Sequence, residues 1–282
     1  MAIKFVIDSA SDLTLQEAEA LGVKLLPILV SFGEESYRDG VDLTHQGFFE
    51  KLTAGGVFPK TSQINLFEFE ACFRELTADG SEVLAITLSS KLSGTYENAL
   101  RAAEPYGGRV AVVDSLNATV GERLLLLRAL RLLPQVASVR ELSERLDEEK
   151  HRIRLMALLG TLEYLQKGGR ISAVTAVSGA LLHIKPVVSV EDGNVRLLGK
   201  AMGLKKGAEL LTRLIAEAGG IDFSMPYGGA YSDPDDRLLQ SYLQSSAALW
   251  REGIGNVSAS SIGSTIGTHV GPGAIAIAFF TP

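Results

Sequence analysis

The chain of 282 residues contains one cysteine, Cys72, so no intramolecular disulfide can form. The surroundings of Cys72, Phe69-Glu70-Ala71-Cys72-Phe73, read as a helix with an apolar face and an inert core thiol. There is a single tryptophan, and no apolar run approaches the roughly 18 residues of a membrane span. The most apolar window, residues 121–133, carries three arginines and one glutamate. An N-terminal run closed so soon by Asp8 is not a secretion signal, so the expected location is the cytoplasm. Basic excess is also missing: net charge is -6, and the short clusters at Lys205-Lys206 and Lys167 to Arg170 make no stripe for nucleic acid. Gly-x-x-x-x-Gly-Lys-Ser/Thr, Gly-x-Gly-x-x-Gly and Gly-x-Ser-x-Gly are all absent, and His45, His151 and His183 fall in separate elements without metal-ligand spacing.

What is present is alternation. Apolar runs at 3–7, 23–31, 83–88 and 110–113 read as strands, and 14–21, 44–52, 66–76, 95–103, 119–133 and 139–152 read as helices. Residues 36–40 suggest a hairpin return and 58–63 a loop. Strand–helix alternation predicts an α/β unit with a largely parallel sheet. Further on, 155–159, 184–190, 195–198, 227–231 and 275–280 read as strands, with helices or helical turns at 173–181, 205–218, 234–249 and 264–267. Asp192-Gly193-Asn194 is a tight hairpin turn. The expected organisation is two closely packed α/β domains, 1–152 and 153–282.

Polar loops follow three strands of the first half: 8–12, 89–94 and Asp114-Ser115. In open α/β sheets ligands sit at the carboxyl ends of strands, so these hydroxyls and acids either converge on a ligand or cap the next helices. Ser93-Gly94 at a helix start suits an anion. Lys167-Gly168-Gly169-Arg170 is a glycine-rich turn facing an anion or a partner, or a cap. Residues 267–273 form the densest glycine cluster, with His269 as a donor inside it or as a structural histidine. Asp8, Asp12 and Asp114 are the acids an enzymatic reading, as a small-molecule kinase or phosphatase, would use.

Taken together the loops resemble the DegV family of bacterial fatty-acid-binding proteins. The stretches are Asp8-Ser9-Ala10-Ser11-Asp12-Leu13, Lys60-Thr61-Ser62-Gln63, Ser89-Ser90-Lys91-Leu92-Ser93-Gly94-Thr95-Tyr96 and Val113-Asp114-Ser115. They continue with the run from Leu162 to Ile171, Ile184-Lys185-Pro186-Val187 and Gly267-Thr268-His269-Val270-Gly271-Pro272-Gly273. The ordered set spans 3–281. The resemblance implies two α/β domains around a lipid tunnel, with a long-chain fatty acid as ligand and neither cofactor nor metal. It implies a carboxylate held by Thr61 and Ser93, with Ser62, His269 and Arg170 close by and Gly94, Gly267, Thr268 and Gly271 in supporting loops. It also implies a carrier rather than an enzyme, one that presents its acid to a separate dihydroxyacetone-kinase-like fatty acid kinase for acyl-phosphate formation. A regulatory protein with a structural lipid is the other non-enzymatic reading. Neither nucleic-acid binding nor stable membrane insertion is expected. Two departures stand out: Ile64 replaces a frequent proline, and Met202-Gly203 replaces a common Arg-Thr pair.

Overall fold

The computed structural model describes residues 2–171 and 183–282. The helix expected at 173–181 lies outside the described residues. The first apolar run is β1 (Ile3–Asp8), joined through α1 (Leu15–Ala20) to β2 (Val23–Leu26). Thr14 starts α1 with a reciprocal cap: its side chain accepts from Glu17 N, and Glu17 answers the backbone of Thr14. The expected single strand over 23–31 is in fact two. Pro27 donates nothing to a ladder, and the chain leaves the first sheet there to form β3 (Leu29–Phe32) in another. β4 (Glu35–Arg38) returns as the expected hairpin partner.

The segment expected as a loop at 58–63 contains a third strand, β5 (Lys60–Ser62), antiparallel to β3 with Thr61 opposite Val30. Three residues carrying a lysine and two hydroxyls hold no hydrophobic periodicity, so only their pairing makes them a strand. α2 (His45–Thr53) lies between β4 and β5, capped by Thr44, and buries Phe48 and Phe49 with Val30 and Leu43 in a small core.

α3 (Leu66–Thr77), β6 (Glu82–Thr87), α4 (Thr95–Ala103), β7 (Val110–Asp114), α5 (Thr119–Leu132) and α6 (Val139–Glu149) complete the first half. β2-β1-β6-β7 is a fully parallel four-stranded sheet, so the fold is mixed α/β with a parallel sheet as expected. The parallel strands are nearly continuous in burial, as a sheet covered on both faces requires.

The second half builds a six-stranded sheet in the order β10-β9-β8-β13-β11-β12. Its strands are β8 (Ile153–Leu158), β9 (Ile184–Glu191), β10 (Asn194–Met202), β11 (Tyr227–Tyr231), β12 (Ser258–Ser261) and β13 (Ile275–Phe280). All pairs are antiparallel except β11 with β12. Asp192 and Gly193 turn β9 into β10 with φ 48 and 80, the left-handed pair a two-residue hairpin needs. α7 (Glu163–Lys167), α8 (Gly203–Glu217), α9 (Arg237–Ser245), α10 (Ala247–Trp250) and α11 (Ser264–Val270) complete the set. The Met202-Gly203 departure falls where β10 becomes α8, with Gly203 at φ 79.

α5 decides how the halves meet. It packs on β8, β11 and β13 of the six-stranded sheet as well as on β6. It is therefore buried over most of its circumference, Glu122 and Arg123 included. That explains why its apolar window has weak periodicity: it has no single solvent face. Arg123 is held by Glu17 at 2.6 Å and Ser260 at 2.9 Å, so its charge stays paired inside the seam. No helix among the described residues is long and apolar enough to cross a membrane.

Candidate ligand-binding site

Between the two sheets and α11 lies a cavity of about 930 Å³, counting its mouth. Its walls are mostly aliphatic, and alternate residues of β8 (Leu155, Ala157) and then Leu159 line its floor. Leu159 is pinned to the sheet by its N–H on Pro186 O at 2.9 Å. Six polar residues close one end.

Those six form a ring of contacts. β5 pairs with β3, and this brings Thr61 against α11, where its Oγ1 lies 3.1 Å from His269 Nε2. Ser62 sits beside it, exposed at the rim. Gln63 fills the space in front of Gly94, where a methyl group would overlap its amide. Next door, Ser93 Oγ lies 3.0 Å from Thr95 Oγ1 and accepts from Thr95 N at 3.3 Å, which is a local turn bond ahead of α4. Arg170 donates Nε to Leu92 O at 3.2 Å and Nη1 to Gly168 O at 2.7 Å. Gly168 in turn lies flat against the His269 ring, where a side chain would collide with Nδ1. The ring thus runs Arg170, Leu92-Ser93-Gly94, Gln63-Ser62-Thr61, His269, Gly168 and back.

The electrostatics of this end are set by burial. His269 is pushed down to about 4 by desolvation, with the Arg170 charge adding to the effect. It is therefore neutral at physiological pH. Among the described residues Nδ1 has no hydrogen-bond partner. An unpartnered bare acceptor costs less than an unpartnered N–H, which favours the tautomer with the proton on Nε2, facing Thr61. Thr61 Oγ1 then accepts from His269 and keeps its own proton to donate into the cavity. Arg170 supplies positive potential while two of its donors are spent on backbone carbonyls.

The glycine cluster expected as a loop at 267–273 is largely helix: α11 runs to Val270, and His269 sits in its last turn. Thr268 Oγ1 donates to Ser264 O at 2.8 Å within the helix, so it faces away from the ring. Gly267 leaves room for Phe48 and Phe49, and Gly271, at φ 67, for Tyr164. These two glycines and Gly94 are packing positions around the site. The apolar lining is not legible in the sequence, because ordinary valines, leucines and alanines carry no signal beyond core.

The acids after the strands do something else. Asp8 accepts from Ala10 N at 2.9 Å and Leu88 N at 2.8 Å. Asp12 accepts from Gly263 N at 2.8 Å and from the Thr119 hydroxyl. Asp114 Oδ1 accepts from Ser90 N at 3.1 Å and Leu116 N at 2.9 Å. Asp39, which the sequence did not single out, takes Ser264 N and Oγ, Thr265 N and Ser9 Oγ within 3.1 Å. All four fasten loops, but only Asp8 caps the turn that directly follows it: Thr14 caps α1 and no side chain caps α5, so Asp12 and Asp114 tie distant segments instead of capping the next helix. Burial raises Asp8 to about 7 and Asp12 to about 8. Glu122 is raised well above its ordinary value by burial, with Asp8, Asp12 and Asp114 facing it. Among the described residues no group of three His, Cys, Asp or Glu is arranged to hold a metal ion.

Fold and site together define a mixed α/β protein built around a largely apolar cavity with one polar, hydroxyl-bearing end. The profile of the family described as "Uncharacterised protein, DegV family" matches residues 2–282. The chain belongs to the DegV family. It is 35% identical over 284 residues to a DegV domain-containing protein of Deinococcus radiodurans, covering 99% of this chain and 98% of that one. Among solved structures it is similar to a DegV family protein from Thermus thermophilus described for its fatty acid binding, at 31% identity, TM-score 0.89 and 100% of both chains. It is also similar to a stearic acid-binding protein from Eubacterium ventriosum, at 28% identity, TM-score 0.82, and 99% and 97% of the two chains.

Proposed function

We propose that this protein binds a long-chain fatty acid, with the tail in the aliphatic cavity and the carboxylate at the ring formed by Thr61, Ser93 and His269. The observation that carries the reading is the pairing of an apolar cavity with a polar end whose Thr61 and Ser93 hydroxyls are part-buried and not committed to a carboxylate of the protein itself. Burying a methylene contributes about 0.8 kcal/mol, so about 14 of them give roughly 11 kcal/mol before association costs of about 4–15 kcal/mol. The tail therefore supplies most of the affinity. A carboxylate left without donors would be costly in so apolar a place, and the two hydroxyls with the Arg170 potential offset that cost. Ser62 is a secondary contact at the rim. The domains 1–152 and 153–282 each contribute one wall.

The protein acts as a cytoplasmic carrier and does no chemistry on its ligand: the strand-end acids that a reaction would need are occupied as backbone acceptors. Delivery to a separate kinase of the dihydroxyacetone-kinase type follows from the family resemblance. The exposed Met202 and Leu204 beside Lys205-Lys206 are the surface such a partner would meet in place of the more common Arg-Thr pair. Native mass spectrometry of the purified protein tests the binding: a retained or added acid of roughly 16–18 carbons is expected, and no adduct under either condition refutes it. In Thr61→Ala combined with Ser93→Ala, affinity falls at least about ten-fold, the loss of two charge-assisted hydrogen bonds. Unchanged affinity would place the carboxylate elsewhere.

A further inference from the structure

Thr119 is the first residue of α5, and it is β-branched with φ 49, in the left-handed region that such side chains avoid. A backbone of this kind persists only where surrounding contacts over-determine it. Here the contact is a single buried carboxyl. Asp12 accepts the Thr119 hydroxyl on one oxygen and the Gly263 N–H, just before α11, on the other. Glycine at 263 suits this approach, because a side chain there would press against both Asp12 and Asp39.

Both elements tied by Asp12 are walls of the cavity. Ala118 and Thr119 line it from α5, and Thr265, Ile266 and His269 line it from α11. Their place along it follows from the sheet. Gly168 and Arg170 of the polar ring follow α7, which continues the chain beyond the Leu159 end of β8, whereas Leu155 near the start of β8 shares a cross-strand row with Val190 and Val195. Four residues of strand separate the two positions, about 13 Å. Val190 also borders an outer hollow whose wall includes Leu116 and Asn117, the residues leading into Ala118 and Thr119. Thr119 therefore stands at the end of the cavity remote from the ring. Its hydroxyl proton is used by Asp12, so it meets a ligand with carbon.

We propose that Asp12, acting through the strained Thr119, is the positioning residue that fixes the far wall of the cavity and so the length of acyl chain it accepts. The inference rests on the acyl binding proposed above. With Asp12 in place, Thr119 is held in the left-handed conformation and α11 is fixed to α5. Without it, Thr119 returns to ordinary backbone angles and the wall moves. Asparagine keeps a tie to both elements: its amide oxygen accepts from Gly263 N–H, and its amide N–H reaches the Thr119 oxygen with donor and acceptor exchanged.

The experiment measures affinity for straight-chain acids of 14, 16 and 18 carbons, read as the ratio of the longest to the shortest. Thr119→Gly removes both the strain and the side chain, and the ratio rises about five-fold or more, the scale on which one methylene is discriminated in an apolar pocket. Asp12→Ala shifts the ratio by a comparable factor. Asp12→Asn stays within about two-fold of the wild type, and Asp12→Ala adds nothing in the Thr119→Gly background, because the same tie is already gone. A ratio unmoved in Thr119→Gly, while binding persists, overturns the proposal. So does Asp12→Ala weakening all three acids by one factor, or shifting the ratio further in Thr119→Gly. Should Asp12→Ala fail to fold, Thr119→Gly alone decides. A wild type that binds no acid at all overturns the proposed function instead, and this inference with it.

Discussion

Two polar regions lie within a few residues of each other, built from the same residue types, and they behave oppositely. In the seam between the sheets, Asp8, Asp12, Asp39 and Asp114 accept hydrogen bonds from backbone amides and hydroxyls of loops that would otherwise be loose. At the cavity's polar end, Thr61 and Ser93 bond only to an imidazole, a hydroxyl and local backbone, and neither is committed to an acid of the protein. The difference is one of saturation. A buried acceptor already supplied with amide donors is a structural part. A part-buried hydroxyl not committed to an acid of the protein, facing an apolar volume, is what the proposed binding site is built from.

Substitutions should separate the regions cleanly. The largest effect is expected at Asp39→Ala, which strips the acceptor from Ser264 N, Thr265 N and Ser9 Oγ at once. Leaving several buried donors unpaired costs about 3–5 kcal/mol of stability. Urea denaturation measures it, and a loss below about 1 kcal/mol would mean the seam is not what fastens α11.

The second effect is a pH dependence whose downward slope comes from the seam. Asp8 and Asp12 titrate near 7 and 8 in the folded protein but near 3.9 when unfolded, so between those values the native state holds protons the unfolded chain has released. Stability from these groups is full below about pH 4, declines as pH rises, and levels off above about pH 8. A denaturation midpoint that does not fall between pH 5 and 8 contradicts this. His269 works in the opposite direction: it stays neutral in the folded protein above about 4 while the unfolded imidazole takes up a proton below about 6.5, so its contribution to stability rises with pH between those values and is flat above them. Acyl affinity should therefore lack an inflection near pH 6.5.

A smaller gain is expected from Glu122→Gln. Among the described residues neither Glu122 oxygen has a partner, so the acid only adds ionisation cost as pH rises. The variant is more stable than the wild type by about 1 kcal/mol at pH 8 and closer to it at pH 5. Equal or lower stability at pH 8 would show that Glu122 is supported after all. Smallest of all, Ser93→Ala should change stability by less than about 1 kcal/mol, since its bonds are short-range and part-exposed. If it unfolds the protein, the division between the two regions collapses.

Much of this was legible in the chain. Alternation marked the parallel sheet, and α4 and β11 fall where composition placed them, because strand and helix periodicities are written in neighbouring residues. The ordered loops carried the site residues through resemblance. Thr61 was named, yet in a loop; Thr268 and Gly271 were named as supports, yet one bonds inside its helix and the other makes room for Tyr164. Asp39 and Thr119 carry no functional signal in the sequence, since an aspartate in a turn and a threonine at a helix start look like ordinary caps.

The sequence by itself determined the local elements and their class, because capping, turn formation and apolar spacing act within a few residues along the chain. Only the tertiary structure decided which hydroxyls stay free. Thr61 meets His269 across 208 residues, and Asp12 meets Gly263 across 251. Those distances close only when α5 is buried between two sheets, and no local propensity encodes that packing.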